Sequence, residues 1–156
     1  MADSKGTFET LQNLIETCRN GQNGYLHAAA KVKDPALKSF FEEQSRERGR
    51  FAAELTAEAE KLGKIESNQL GTVAGMMHRA WFALKADFGG ADHGVLSAVM
   101  QGEHRAEKFY DQAVTAPLPE NIRRLVSTQR DSVKAALSRV RNWGTKTMAQ
   151  QSQKAG

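Results

Sequence analysis

Four stretches of this chain place apolar or small residues at alternating three- and four-residue steps over about 23 to 28 residues each. That spacing keeps one face of an α-helix turned toward a core, and no stretch offers the two-residue alternation of a strand. The first helix is predicted over about residues 6–32, with Phe8, Leu11, Ile15, Cys18, Tyr25, Ala29 and Val32 on its seam and a gap at Gln22. Asp34-Pro35 then breaks the chain, because proline suits the first turn of a new helix. The second helix, about 35–62, carries Leu37, Phe41, Gln44, Glu47 or Arg48, Phe51, Leu55 and Leu62, and Gly63 stops it.

A shorter helix is expected over about 69–88, with Leu70, Val73, Met77, Trp81, Leu84 and Phe88 on one face. Gly89-Gly90 ends it, and Asp92 is the expected N-cap of the next helix. That helix, about 93–115, uses Leu96, Val99, Glu103, Ala106, Tyr110 and Ala113. Pro117 and Pro119 break the chain again before a last long helix, about 119–143, built on Ile122, Leu125, Gln129, Val133, Ala136, Val140 and Trp143. Beyond Gly144, residues 145–156 are polar and expected to be a disordered tail, leaving 1–144 as one bundle domain.

Long helices with narrow apolar seams bury those seams against one another. The expected fold class is therefore all-α, a four-helix bundle. The short helix falls where an up-down bundle needs only a tight loop, so it reads as the crossover connection that ferritin-like bundles place between their two hairpins.

Composition agrees with a soluble globular chain: 156 residues, 40% hydrophobic and 26% charged. A single cysteine, Cys18, excludes an intramolecular disulfide framework and fits a reducing cytosol, so a cytoplasmic location is expected. No apolar leader or membrane-spanning run is present, and no membrane partner is expected.

Each long helix interrupts its seam near the middle with a polar residue: Gln22, Gln44 and Glu47, Glu103, and Gln129. Four interruptions at similar height suggest one polar layer across the bundle. Unpaired buried polar groups cost roughly 1–3 kcal/mol each, so such a layer must satisfy itself. Glu103 needs a cation, a metal, several donors or a proton. Amides from Gln22, Gln44 and Gln129, or the guanidinium of Arg48, are the candidate donors.

The chemical alternative is a di-iron or di-manganese centre using Glu47 and Glu103. Such bundles take a Glu from each of two helices and a Glu-x-x-His from each of the other two. Here Glu47 is followed three residues on by Arg50, Glu103 by Ala106, and Gln129 by Ser132. The first helix offers Gln22 where a carboxylate is required. No cofactor is therefore expected, and the layer reads as structural.

The other chemistry-bearing residues have plain structural readings. His27, His78, His93 and His104 form no HxxxH or ExxH pair. Cys18 sits on a seam and reads as a small buried hydrophobe. Residues 117–156 carry a net charge of +6 against −2 for the rest of the chain. On the last helix, Arg123, Arg130, Lys134 and Arg141 fall near one line, a stripe that could meet nucleic-acid phosphates or an acidic protein. A solvated face explains it as well.

The segments GYLHAAAKVKDPALKSFF, FAAELTAEAEKLG, HRAWFALK, GEHRAEKFY and VKAALSRVR, in this order and spacing, resemble bacterial ferritin-like four-helix-bundle proteins classed as a domain of unknown function. The resemblance spans about residues 8–143. It implies a ferritin-like bundle, possible descent from di-metal proteins, and a homo-oligomer. Members of that family often carry His-Asp where this chain has Leu137-Ser138. The function expected is a structural or interaction role without a retained catalytic centre, and a stress-related role falls within it.

Overall fold

The computed structural model describes residues 3–63, Trp81 and residues 91–155, with side chains up to Lys146. The short helix expected at about 69–88 lies outside the described residues apart from Trp81, as does His78. Among the described residues the chain is all-helical: α1 (Ser4–Lys31), α2 (Pro35–Lys61), α3 (Asp92–Thr115) and α4 (Glu120–Ala155). None of these helices is long and apolar enough to cross a membrane.

Local chemistry sets most of the boundaries. Asp3 caps α1 by accepting from the Lys5 amide. The Asp34 carboxylate accepts from the amides of Ala36 and Leu37, and Pro35 opens α2. Gly63, at φ 82°, takes the left-handed conformation that ends α2. Gly144 has no such φ, and α4 runs through it to Ala155. The stretch after Gly144, expected to be a disordered tail, is thus helical through Ala155. A glycine inside a helix costs about 1 kcal/mol, but stops nothing unless the backbone turns left-handed there.

Asp92 corrects another expectation. It is not the N-cap of α3, a position held by Ala91. Its carboxylate instead accepts from the amides of Lys33 and Asp34, at 2.8 and 3.0 Å. The start of α3 is thereby tied to the α1–α2 turn. At the other end of α3, the Arg123 guanidinium donates to the carbonyl oxygens of Val114 and Ala116, groups that the end of a helix leaves without partners, and to that of Leu118 in the connection that follows.

Side-chain contacts fix the topology. Ser45 donates to the Gln22 carbonyl and Tyr25 packs on Phe41, so α1 and α2 are antiparallel. Tyr110 meets Gln129 and Lys134 meets Glu107, so α3 and α4 are antiparallel too. Cys18 meets Tyr110 across α1 and α3, and Phe40 stacks on Trp143 across α2 and α4. The helices form a square in which α2 and α3 occupy one diagonal and run parallel. The end of α2 and the start of α3 therefore lie at opposite ends of the bundle. The core holds Leu11, Leu14, Leu37, Phe41, Leu55, Leu96, Val126 and Leu137, each at most 1% exposed.

Candidate functional site

The centre of the bundle is polar. Arg48 points inward from α2 and Glu103 from α3, with 1% and 0% of their surfaces exposed. Arg48 Nη1 and Nη2 donate to Glu103 Oε1 and Oε2, each at 2.5 Å. This fork-on-carboxylate arrangement satisfies both oxygens with charge-assisted bonds. The pair runs along the α2–α3 diagonal, through the middle of the fold.

Its surroundings explain how an arginine fits there. Gly21 of α1 packs beside the Arg48 side chain: a Cβ at that position would lie 3.5 Å from Nη1 and 3.6 Å from Cγ, ordinary van der Waals contact. The Tyr25 ring lies 5.6 Å from the guanidinium carbon, within cation–π range. Burial works against the Arg48 charge, but the Glu103 carboxylate more than offsets it and holds the guanidinium above its ordinary pKa. The Tyr25 hydroxyl is pushed well up, first by burial and then by the neighbouring carboxylate, yet no hydrogen bond of standard geometry joins it to Glu103.

Trp81 closes this region from the side. Its indole lies 5.5 Å from the Tyr25 ring and is wedged between Gly24 of α1 and Gly102 of α3. A Cβ at either glycine would fall 2.2–2.3 Å from indole carbons, so both positions must lack one. These two glycines create a slot between α1 and α3 that only a flat ring fills.

About two helical turns along the bundle lies a second polar layer. Tyr110 Oη donates to Gln129 Oε1 at 2.7 Å, and Cys18 Sγ lies 3.0 Å from the same hydroxyl. Since the hydroxyl has one hydrogen and gives it to Gln129, the Cys18 thiol is the donor in its contact with Tyr110. Gln129 Nε2 reaches the Phe51 carbonyl at 3.4 Å and Glu54 Oε1 at 3.3 Å. One residue or more from every helix takes part. Burial pushes the Cys18 thiol up to about 11, only partly countered by Tyr110 and Arg48, so the thiol is neutral and shielded. The Tyr110 hydroxyl is also raised, by burial first and then by Cys18.

The single layer expected from sequence is therefore two layers of different chemistry. Glu103 and Gln129 are both buried but belong to different layers. Gln44 is buried at 6% exposed. Gln22 and Glu47 depart from their expected inward places and are half-buried. The Gln22 side chain lies over Gly49, in the groove between α1 and α2. Glu47 sits on the outer face within 3.9 Å of Arg50, one residue round the helix from Arg48. The donors to Glu103 come from arginine, not from the glutamines.

The metal reading needs Glu47 and Glu103 together, and they point to different sides of the bundle wall. Among the described residues, no three His, Cys, Asp or Glu side chains come close enough to hold an ion. The donor set does not fit two divalent cations: the buried carboxylate already has a guanidinium on both oxygens. Of the described histidines, His27, His93 and His104 are exposed.

The basic stripe on α4 is partly committed within the chain. Arg123 caps α3, and Lys134 lies 3.6 Å from Glu107 and 3.2 Å from Asp111. Arg130 lies 3.6 Å from Asp131, while Arg141 is exposed. Leu137 is fully buried and Ser138 exposed.

Trp81's slot was missed from sequence, although Gly24 and Gly102 interrupting long helices were a visible signal. No curated protein matches the chain. A family described as Domain of unknown function (DUF2383) matches residues 6–116, which takes in all but the first two residues of α1, all of α2 and α3, and both partners of the buried ion pair. The chain belongs to this DUF2383 family.

Proposed function

We propose that this protein is a ferritin-like helical bundle in which an internal ion pair takes the central place of a di-metal centre, and that its role is structural or interaction-based. The observation that carries this reading is the two-pronged contact of Arg48 with Glu103 in a fully buried setting. A di-metal bundle neutralises its core carboxylates with cations taken from solution. Here the neutralising cation is a side chain of the protein itself. The parallel diagonal of α2 and α3, with chain ends at opposite ends of the bundle, is the arrangement a ferritin-like crossover produces.

Leu137 supports the same reading. The pairing of Lys134 with Glu107 brings the following turn of α4 level with Glu103, where Leu137 fills the core with an alkyl group. An inward histidine there would have been a candidate ligand.

Metal analysis tests the proposal. Protein purified after growth with added iron and manganese is expected to hold less than about a tenth of an equivalent of either. One equivalent or more, lost in Glu103→Ala protein that still folds, would overturn it.

A further inference from the structure

The cations of α4 fall into two groups. Arg123, Arg130 and Lys134 are engaged within the chain by the α3 carbonyls, Asp131, Glu107 and Asp111. Toward the C-terminal end the balance changes: residues 132–156 contain no Asp or Glu and carry Lys134, Arg139, Arg141, Lys146 and Lys154. Arg139, Arg141 and Lys146 are exposed, and among the described residues no carboxylate lies within ion-pair distance of them. Arg139 is also fixed in place, its guanidinium carbon 4.2 Å from the centre of the Phe40 ring that stacks on Trp143.

Between these cations runs a line of short polar side chains. Ser138, Asn142 and Thr145 are exposed and, at 100° per residue, lie within about 60° of one another. Arg139 and Lys146 stand about 70–95° to one side of that line, and Arg141 about 70° to the other. Asp131, two turns before Ser138 on the same line, marks the lower end of the face. The face is thus short in the middle and positive along both edges, with no large apolar side chain exposed on it.

We infer that this face of α4 seats in the major groove of duplex DNA, with its edge cations on the phosphates of the two strands. The groove is about 12 Å wide, admits an α-helix about 10–12 Å across, and is walled on both sides by phosphates. Arg139 and Lys146 meet one wall and Arg141 the other. Ser138, Asn142 and Thr145 let the helix approach the base edges and carry groups that hydrogen-bond there. Three contrasts select this occupant. A protein partner is anchored by apolar or aromatic side chains, which this face lacks. A lipid surface needs an apolar face to bury. Duplex RNA has a major groove too deep and narrow for side chains to read. This docking is independent of what fills the core, so metal content and DNA binding are tested separately.

Fluorescence anisotropy of a labelled duplex DNA of about 30 base pairs with the full chain, at about 50 mM salt, tests this, and a dissociation constant of about 100 µM or tighter is expected. The logarithm of the binding constant falls with the logarithm of salt at a slope of about −3, one phosphate for each edge cation. Arg141→Gln and Lys146→Gln, at exposed helical positions, each reduce that slope by about 1 and weaken binding several-fold with an unchanged thermal melt. Asn142→Glu sets a carboxylate between the phosphate walls and weakens binding by about tenfold or more. Arg19→Gln removes an exposed charge from α1, across the bundle from α4, and leaves both slope and affinity unchanged. No binding at about 100 µM protein in this salt, an Arg19→Gln loss equal to that of Arg141→Gln, duplex RNA bound as tightly as DNA, or poly-glutamate bound more tightly than DNA would each overturn the inference.

Discussion

Arg48 and Glu103 can be removed one at a time or together, and the two outcomes differ sharply. Arg48→Met keeps most of the alkyl stem beside Gly21 but leaves the Glu103 carboxylate fully buried with no partner on either oxygen. Breaking a buried pair from one side costs about 3–5 kcal/mol, because the surviving charge stays out of water uncompensated. Glu103→Leu strands the guanidinium in the same way. In a chain of this length 1 kcal/mol corresponds to about 2–4 °C, so each single variant should melt roughly 6–20 °C lower. The double variant removes both charges and fills the space with apolar atoms. It should lie close to the original stability or above it by about 1–4 kcal/mol. Urea unfolding followed by circular dichroism, on all four proteins of the cycle, gives the coupling directly. The expected value is at least about 3 kcal/mol in favour of the pair. Single variants that each lose under about 1 kcal/mol and add without coupling would refute the geometry, since only a solvated pair behaves so.

Two other outcomes follow from the core. Gly102→Ala puts a methyl group 2.3 Å from the Trp81 ring, so it should cost about 1–3 kcal/mol or more in urea unfolding and change the tryptophan emission; a neutral change would show that the indole is not seated in that slot. Cys18 should resist thiol reagents at pH 8 until the chain is unfolded, and its raised folded pKa adds an alkaline signature. Below pH 9 the thiol is protonated in both folded and unfolded chains; between 9 and about 11 the unfolded chain sheds the proton first, so stability falls by about 2–3 kcal/mol across that window. Tyr25 and Tyr110 are raised as well and add to the loss, so the test is the difference between the original protein and Cys18→Ala, which should lose less.

The helices were legible because their signals are local: apolar spacing, Asp34-Pro35, Gly63 and the prolines before α4 each act within a turn or two. The bundle followed from seam width. The identity of the inward residue on α2 was not legible to the same degree. Glu47 and Arg48 are neighbours on the helix, and the seam spacing admits either. Only the position of Glu103, brought near by packing far along the chain, selects the arginine. Gln129 lies in the core, and its partners Cys18 and Tyr110 sit within apolar seams, where a hydroxyl and a thiol look like ordinary filling. The helical run past Gly144 is not legible in composition, because glycine is a stop only when the backbone adopts a left-handed φ.

The two polar layers also bear on how the helices find their alignment. Cys18 and Tyr25 are seven residues apart on α1, as are Glu103 and Tyr110 on α3. Apolar seams repeat at nearly that interval, so sliding α1 along α3 by two turns would still press oil against oil. It would also bring Cys18 level with Glu103, leaving the carboxylate facing a thiol and Tyr110 facing Leu11. Because the layers differ, one carrying opposite charges and the other neutral donors and acceptors, a single alignment satisfies both. The hydrophobic faces hold the bundle together, and the unlike pair of polar rungs tells it where to stop sliding.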